Sequence, residues 1–371
     1  MTTLNNNKTN QFIFWSFLIL LILTTNQYFS LEEVYLNGAR DGKDYFSISS
    51  NAPEFSKDLA GHKSWRFMYP FIIGNFSNIL SLDIFLIYQI TTILILVSFI
   101  YLINKNSLFN KKFFENFIFI SCILFNPYFF RYFIALPLLI NDLMFVYGTL
   151  YLILFLKKEK LSYLIIGLII ACFARQEAIF FVLTIAICKF IFKKRSIFSN
   201  KHLYTGFLIT FFIFSINTYY SVNSSSTGLG GYSDGGRFAL FNFNYTLFEF
   251  VIFFIYLIFP FLLIFIVIFF NKKNFIKNII LKFKDEKIVF IFILSLFILA
   301  PAIIAGPEIT GKNILRLSNL PILLITYLMC LLLGKLKTNW SFNFIFFGTI
   351  FIFLQHPKYS LSNLFSIILT Y

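Results

Sequence analysis

Residues 67–103 read FMYPFIIGNFSNILSLDIFLIYQITTILILVSFIYLI, with one charged side chain, Asp83, in the whole stretch. About 20 apolar residues cross the hydrocarbon core of a bilayer, so this run is too long for a single crossing. Asp83 divides it. The expected arrangement is a short helix over 67–79 lying at the membrane interface, followed by a span over 83–103.

Working outward, further apolar runs fall at about 12–30, 117–130, 133–156, 161–173, 177–192, 203–221, 246–270, 288–305, 319–334 and 341–355. The chain is 58% hydrophobic and 13% charged, whereas soluble domains sit near 45–50% apolar and about 25% charged. The fold class expected is therefore all-α: a polytopic transmembrane helix bundle of about ten or eleven spans, forming one membrane domain over 1–371. The runs at 161–173 and 177–192 are short and need not both cross. The run Phe12–Leu23 after Lys8 has the length of a signal peptide but lacks a small-x-small cleavage site, and is read as an uncleaved first helix. The 56 Phe are spread through every segment and reflect composition rather than an aromatic ligand box.

The net charge of +15 does not point to nucleic acid, because the basic residues form short clusters between apolar runs, as in cytoplasmic loops. With the N-terminus placed in the cytoplasm, inside segments hold twenty of the 31 Lys and Arg and four of the 16 Asp and Glu. The inside clusters include Lys157, Lys158 and Lys160; Lys193, Lys194 and Arg195; and Lys272 to Lys287. That asymmetry fixes the expected orientation. The cysteines, Cys122, Cys172, Cys188 and Cys330, form no C-x-x-C pair. With three scattered histidines, they give no zinc spacing. No glycine-rich nucleotide motif is present.

Two outer segments exceed turn length. Segment 31–66 holds Glu32, Glu33, Asp41, Asp44, Glu54 and Asp58; segment 222–245, SSSTGLGGYSDGGR at its centre, reads as a flexible lid or gate. The strongest constellation is Arg40-Asp41-Gly42-Lys43-Asp44-Tyr45. A carboxylate there can accept a proton from an incoming hydroxyl or amine. Asp41 and Asp44 would share a face if the segment is helical, and two such carboxylates can hold a divalent cation. The plain alternative is a solvated loop with both acids paired to Arg40 and Lys43. Arg66, in Trp65-Arg66-Phe67-Met68-Tyr69-Pro70, can bind phosphate through its fork of donors or snorkel to lipid headgroups.

Asn126-Pro127 breaks an apolar stretch, with Arg131, Pro137 and Asn141-Asp142 after it. Asp142 lies near the start of an apolar span, where an ionisable group defaults to a functional role; the alternative is a structural pair with Arg131 or Arg175. Arg175 and Glu177 sit between two short helices and either pair with each other or reach a lipid phosphate. Gly306 to Arg316 reads as a short outer loop whose Lys312 and Arg316 can hold phosphate, or as a solvated turn.

This pattern resembles the GT-C superfamily of polytopic membrane glycosyltransferases. Asp41-Gly42-Lys43-Asp44-Tyr45-Phe46-Ser47-Ile48 resembles the segment carrying their catalytic aspartate, within a first outer loop with short interfacial helices. Trp65-Arg66-Phe67-Met68-Tyr69-Pro70 resembles the Arg-x-x-x-Pro start of the next helix in bacterial members. The broken Asn126-Pro127 region with Asp142, the short helical pair with a polar tip, and the late arginine segment match in layout. A small first loop and the lack of a soluble C-terminal domain depart from better-known members and leave the acceptor open.

The resemblance implies a polyprenyl- or dolichyl-phosphate sugar donor and inverting transfer to an acceptor glycan, lipid or protein. The transfer would take place on the outer face of a bacterial inner (plasma) membrane. It implies Asp41 as base and Asp44 as second carboxylate or alternative base. Arg66, Arg175, Lys312 and Arg316 become candidates for the lipid phosphate, with Arg131, Asp142 and Glu177 as further donor-site candidates. An O-antigen polymerase or ligase usually places its active loop late in the chain. A flippase or transporter of lipid-linked saccharide would carry charges deep within several spans.

Overall fold

The computed structural model describes residues 8–26, 29, 40–57, 59, 61–109, 112–224, 247–310 and 314–355. Among these residues every regular element is helical and there is no strand. Five helices are long and apolar enough to cross a membrane: Ile84–Lys105, Pro137–Lys158, Asn200–Ser224, Leu247–Phe270 and Glu286–Ile304. Five shorter apolar helices of 10–17 residues accompany them. The architecture is consistent with an integral membrane protein.

In chain order the helices are α1 (Lys8–Thr25), α2 (Arg40–Asn51), α3 (Gly61–Ser64), α4 (Met68–Leu80), α5 (Ile84–Lys105) and α6 (Phe113–Leu124). Then follow α7 (Phe130–Ala135), α8 (Ile140–Lys158), α9 (Leu161–Ala174), α10 (Ile179–Phe192), α11 (Asn200–Ser224) and α12 (Leu247–Ile258). The last six are α13 (Leu262–Phe270), α14 (Lys272–Lys282), α15 (Glu286–Thr310), α16 (Ile314–Ser318), α17 (Ile322–Leu333) and α18 (Trp340–Gln355).

The decisive run divides where the sequence places the break. Asp83 is the N-cap of α5 and accepts a hydrogen bond from Leu86 N, satisfying one orphan amide of the first turn. Ser81 ends α4 in the left-handed conformation. One expectation is corrected. Gly306 to Thr310 is not a loop but the last turns of α15, which runs on through Pro301 and Pro307; helices packed among other helices tolerate such prolines because neighbours re-satisfy the freed backbone groups. Segment 31–66, expected to carry short helices, holds Arg40–Asn51 and Gly61–Ser64. The Gly/Ser-rich stretch 225–245 lies outside the described residues.

Burial separates the helices into two kinds. The outer ones show apolar stripes to their surroundings: Leu86, Ile90, Leu94, Val97 and Tyr101 on α5, and Phe207, Leu208, Phe211, Phe212 and Tyr219 on α11, are all exposed. Such continuous apolar surface suits lipid, not water. Helix α8 is the opposite, buried on every side from Leu143 to Leu156 apart from Met144, Tyr147 and Tyr151. It packs most closely on α9. A Cβ added to Gly148 would fall 2.9 Å from Gly167 O and 2.8 Å from the Ala171 methyl, so small residues bring the two backbones together.

Polar contacts collect the lysines at one end of the bundle. Lys157 Nζ donates to Asn106 O at 2.9 Å, Lys287 pairs with Glu159 at 2.8 Å, and Lys282 donates to Leu331 O at 2.6 Å. The arginines Arg66, Arg175 and Arg316 lie at the opposite end. Helix α5 starts at the arginine end and finishes at Lys105, so α4 begins and ends at the arginine end and lies along it.

Candidate functional site

Helix α2 forms because its apolar and small residues recur at helical spacing. Gly42, Tyr45, Ile48 and Ser49 are buried on one face, while Lys43, Ser50 and Asn51 face out. Its C-terminal half is fixed firmly. Ser49 Oγ donates to Pro70 O at 2.9 Å and lies 2.6 Å from the Tyr88 hydroxyl. Asn78 Nδ2 donates to Ala52 O at 2.6 Å. Gly74 permits this crossing: a Cβ there would meet Ser49 O at 2.0 Å. Asp41 and Asp44 are therefore one turn apart on a helix. The Asp41 side chain lies outside the described ones. Asp44 forms an ion pair with Lys63 of α3.

Beside α2, five charged side chains from four parts of the chain form one buried cluster. Arg175 stands at its centre, where α9 ends in an extended residue before the turn Gln176–Ala178. Its Nε and NH2 donate to Glu177 at 3.1 and 2.6 Å, and its NH1 donates to Asp142. Asp142 lies in the first turn of α8, where the helix dipole favours a negative charge. Its other oxygen is 3.1 Å from Arg316 Nε, an ion pair without hydrogen-bond alignment. Arg66, from the α3–α4 connection, donates through Nε to Gln176 Oε1 at 3.0 Å and sits 4.0 Å from the Glu177 carboxylate.

Three guanidiniums against two carboxylates leave the cluster with a net positive charge. The side chains are only 3–13% exposed, so water screens these charges weakly. Burial alone would raise the Glu177 carboxyl, but the Arg175 and Arg66 guanidiniums outweigh it and hold the group down at about 2. An excess of guanidiniums held in fixed geometry is the kind of arrangement that stabilises an anion brought against it.

Neutral amides brace it. Asn141 Nδ2 donates to Arg66 O at 3.0 Å. Asn126 Nδ2 donates to Pro260 O at 2.9 Å and to Asn319 Oδ1 at 2.6 Å, and Asn319 Nδ2 in turn holds Leu315 O at 2.6 Å, which anchors α16 and Arg316.

Of the residues singled out from sequence, Arg66, Asp142, Arg175, Glu177 and Arg316 come together. Asp44 lies on the neighbouring helix. Arg131 is elsewhere: its NH1 donates to Phe353 O at 2.7 Å and Leu354 O at 2.6 Å, its NH2 to Thr25 O at 2.6 Å, and its Nε to Asn26 Oδ1 at 3.2 Å. It holds the C-terminal ends of α1 and α18, and Asp142 pairs with Arg175 instead. Lys312 lies outside the described residues. Sequence reasoning passed over Gln176, Asn141 and Asn319 as site members. Their proximity in sequence to Arg175, Asp142 and Arg316 was the available signal. Comparison with known proteins finds no matching family model, no matching curated protein and no matching solved structure.

Proposed function

We propose that this chain is a membrane glycosyltransferase of the GT-C kind, transferring a sugar from a polyprenyl-phosphate donor to an acceptor at the arginine end of the bundle. In this reading the protein crosses a bacterial inner membrane about ten or eleven times. The lysine-rich end faces the cytoplasm, and the arginine end faces the opposite aqueous side.

The observation that carries the reading is the buried cluster Arg66–Glu177–Arg175–Asp142–Arg316, with its net positive charge, beside the helix that bears Asp41 and Asp44. Asp41 takes the proton from the acceptor hydroxyl. The acceptor oxygen bonds to the anomeric carbon as the bond to the donor phosphate oxygen breaks, and the lipid phosphate leaves as an anion. Fixed guanidiniums stabilise the charge developing on that phosphate. Glu177 and Asp142 hold Arg66, Arg175 and Arg316 in place and offset the cost of burying three cations.

The test is transfer of a radiolabelled sugar from polyprenyl-phosphate donors by the purified protein, with and without EDTA. Asp41→Asn is expected to abolish transfer while donor binding persists. Loss of transfer in EDTA, restored by added divalent cation, would show that the transfer needs one. A folded protein that transfers from no plausible donor, with an Asp41 variant like the parent, would overturn the proposal. The buried charge cluster would then favour a carrier of lipid-linked saccharide, read out as donor movement across vesicles.

A further inference from the structure

Resting on the reading just given, the structure gives the second α2 carboxylate, Asp44, a role of its own. We infer that Lys63 is a positioning residue, and that its ion pair with Asp44 latches the acid-bearing half of α2 to the segment that carries Arg66.

The C-terminal half of α2 is locked by Ser49 to Pro70 O, by Asn78 to Ala52 O and by the close approach of Gly74. Nearer the N-terminus of α2, the Asp44 carboxylate reaches α3 through Lys63. That pair is partly buried, with side chains 26% and 13% exposed, and it joins residues far apart in sequence. Lys63 is three residues before Arg66, and the two are tied by a turn in which Arg66 N donates to Lys63 O at 3.0 Å. On its other side α3 is fastened to α11: Ser64 Oγ lies 2.7 Å from Ser221 Oγ.

The latch therefore links the helix turn bearing Asp41 to the backbone that places Arg66. A base for the acceptor and a cation for the donor phosphate must keep a fixed separation if one transfer step uses both. Asp44, held by Lys63, serves as the tether, and the base stays Asp41, as in the proposed function.

The experiment compares Lys63→Met, Lys63→Arg, Asp44→Asn, the exchange Asp44→Lys with Lys63→Asp, and Asp41→Asn, all in the full chain. Amide hydrogen exchange across residues 41–45 reads the latch without reference to activity, and radiolabelled transfer reads its consequence. Lys63→Met and Asp44→Asn are each expected to speed exchange at 41–45 about tenfold, with α4 peptides unchanged. Each should lower kcat about tenfold with the donor KM within twofold. Lys63→Arg and the charge exchange should restore at least half of both signals, whereas Asp41→Asn should leave exchange at the parent level and abolish transfer.

The inference is overturned if Asp44→Asn abolishes transfer while Lys63→Met does not, because Asp44 is then the reacting group. It is overturned equally if exchange at 41–45 does not respond to Lys63→Met. Failure of the glycosyltransferase reading would show separately, as absent transfer in the parent with the exchange pattern intact.

Discussion

Replacing Arg175 with methionine removes the centre of the buried cluster and keeps most of the side-chain volume. Three hydrogen bonds are lost, two to Glu177 and one to Asp142. Breaking a buried ion pair costs about 3–5 kcal/mol, because the remaining charge is left without compensation. Here two carboxylates are deprived at once, but each keeps a second cation: Asp142 has Arg316 at 3.1 Å, and Glu177 has Arg66 at 4.0 Å. The expected loss is therefore about 3–5 kcal/mol in total and not twice that.

Adding Glu177→Gln to Arg175→Met removes the less closely supported of the two acids and is expected to recover about 0.5–3 kcal/mol, the range seen for directly coupled neighbours. Reversible unfolding in mixed micelles, read by tryptophan fluorescence, completes the double-mutant cycle for Arg175 and Glu177. If Arg175→Met lies within 1 kcal/mol of the parent, or Glu177→Gln adds its full single-variant cost on top, the argument for a tightly coupled cluster fails.

Other expectations follow from the same geometry. Gly74→Ala should destabilise by about 1–3 kcal/mol or more, the range for overpacking, since its methyl would overlap Ser49 O; thermal unfolding checks it, and a neutral result would mean α2 and α4 can separate freely. Arg131→Met should loosen the C-terminal ends of α1 and α18, seen as faster hydrogen exchange at residues 22–26 and 351–355, while phosphate-donor affinity stays within twofold. Glu177 is held below its usual value, so its stabilising contribution is present above pH 4.5 and is lost as pH falls through about 2. Infrared difference spectra against Glu177→Gln should accordingly show a carboxylate band unchanged from pH 8 to 5, and a protonated band in that window would contradict the assigned pairing.

Ionisable residues at the ends of apolar runs were legible from sequence alone, because charge is so costly there. Arg66, Asp142, Arg175, Glu177 and Arg316 all stood out for that reason. Their pairing was legible only in part: Arg175 with Glu177, and Asp142 with Arg131 or Arg175, stood as alternatives, whereas Arg316 with Asp142 and Arg66 with Glu177 did not. Arg131 and Arg175 carry the same local signal, yet one ties helix ends and the other completes a cluster, and only the packing of α8 against α9 decides between them. Neutral amides such as Asn141 and Asn319 carry no charge signal in a chain rich in asparagine. Gly306 and Pro307 made the end of α15 look like a loop, since a proline removes a backbone donor and clashes with the preceding turn. The surrounding helices supply what the local rule leaves out. The break at Asp83 succeeded as a reading because a cap acts within its own first turn.

The burial of Asp142 also constrains how the protein is made. Its partner Arg175 is 33 residues further along the chain, and synthesis at about 5–20 residues per second delivers it only seconds later. Arg316 arrives after most of the bundle is already in place. A lone carboxylate at the head of an apolar helix resists entry into the bilayer, so α8 is expected to wait at the insertion machinery until α9 and the turn bearing Arg175 emerge, and to enter as a hairpin. The last charge to arrive then closes the cluster, which makes Arg316 a late checkpoint of assembly as much as a part of the finished site.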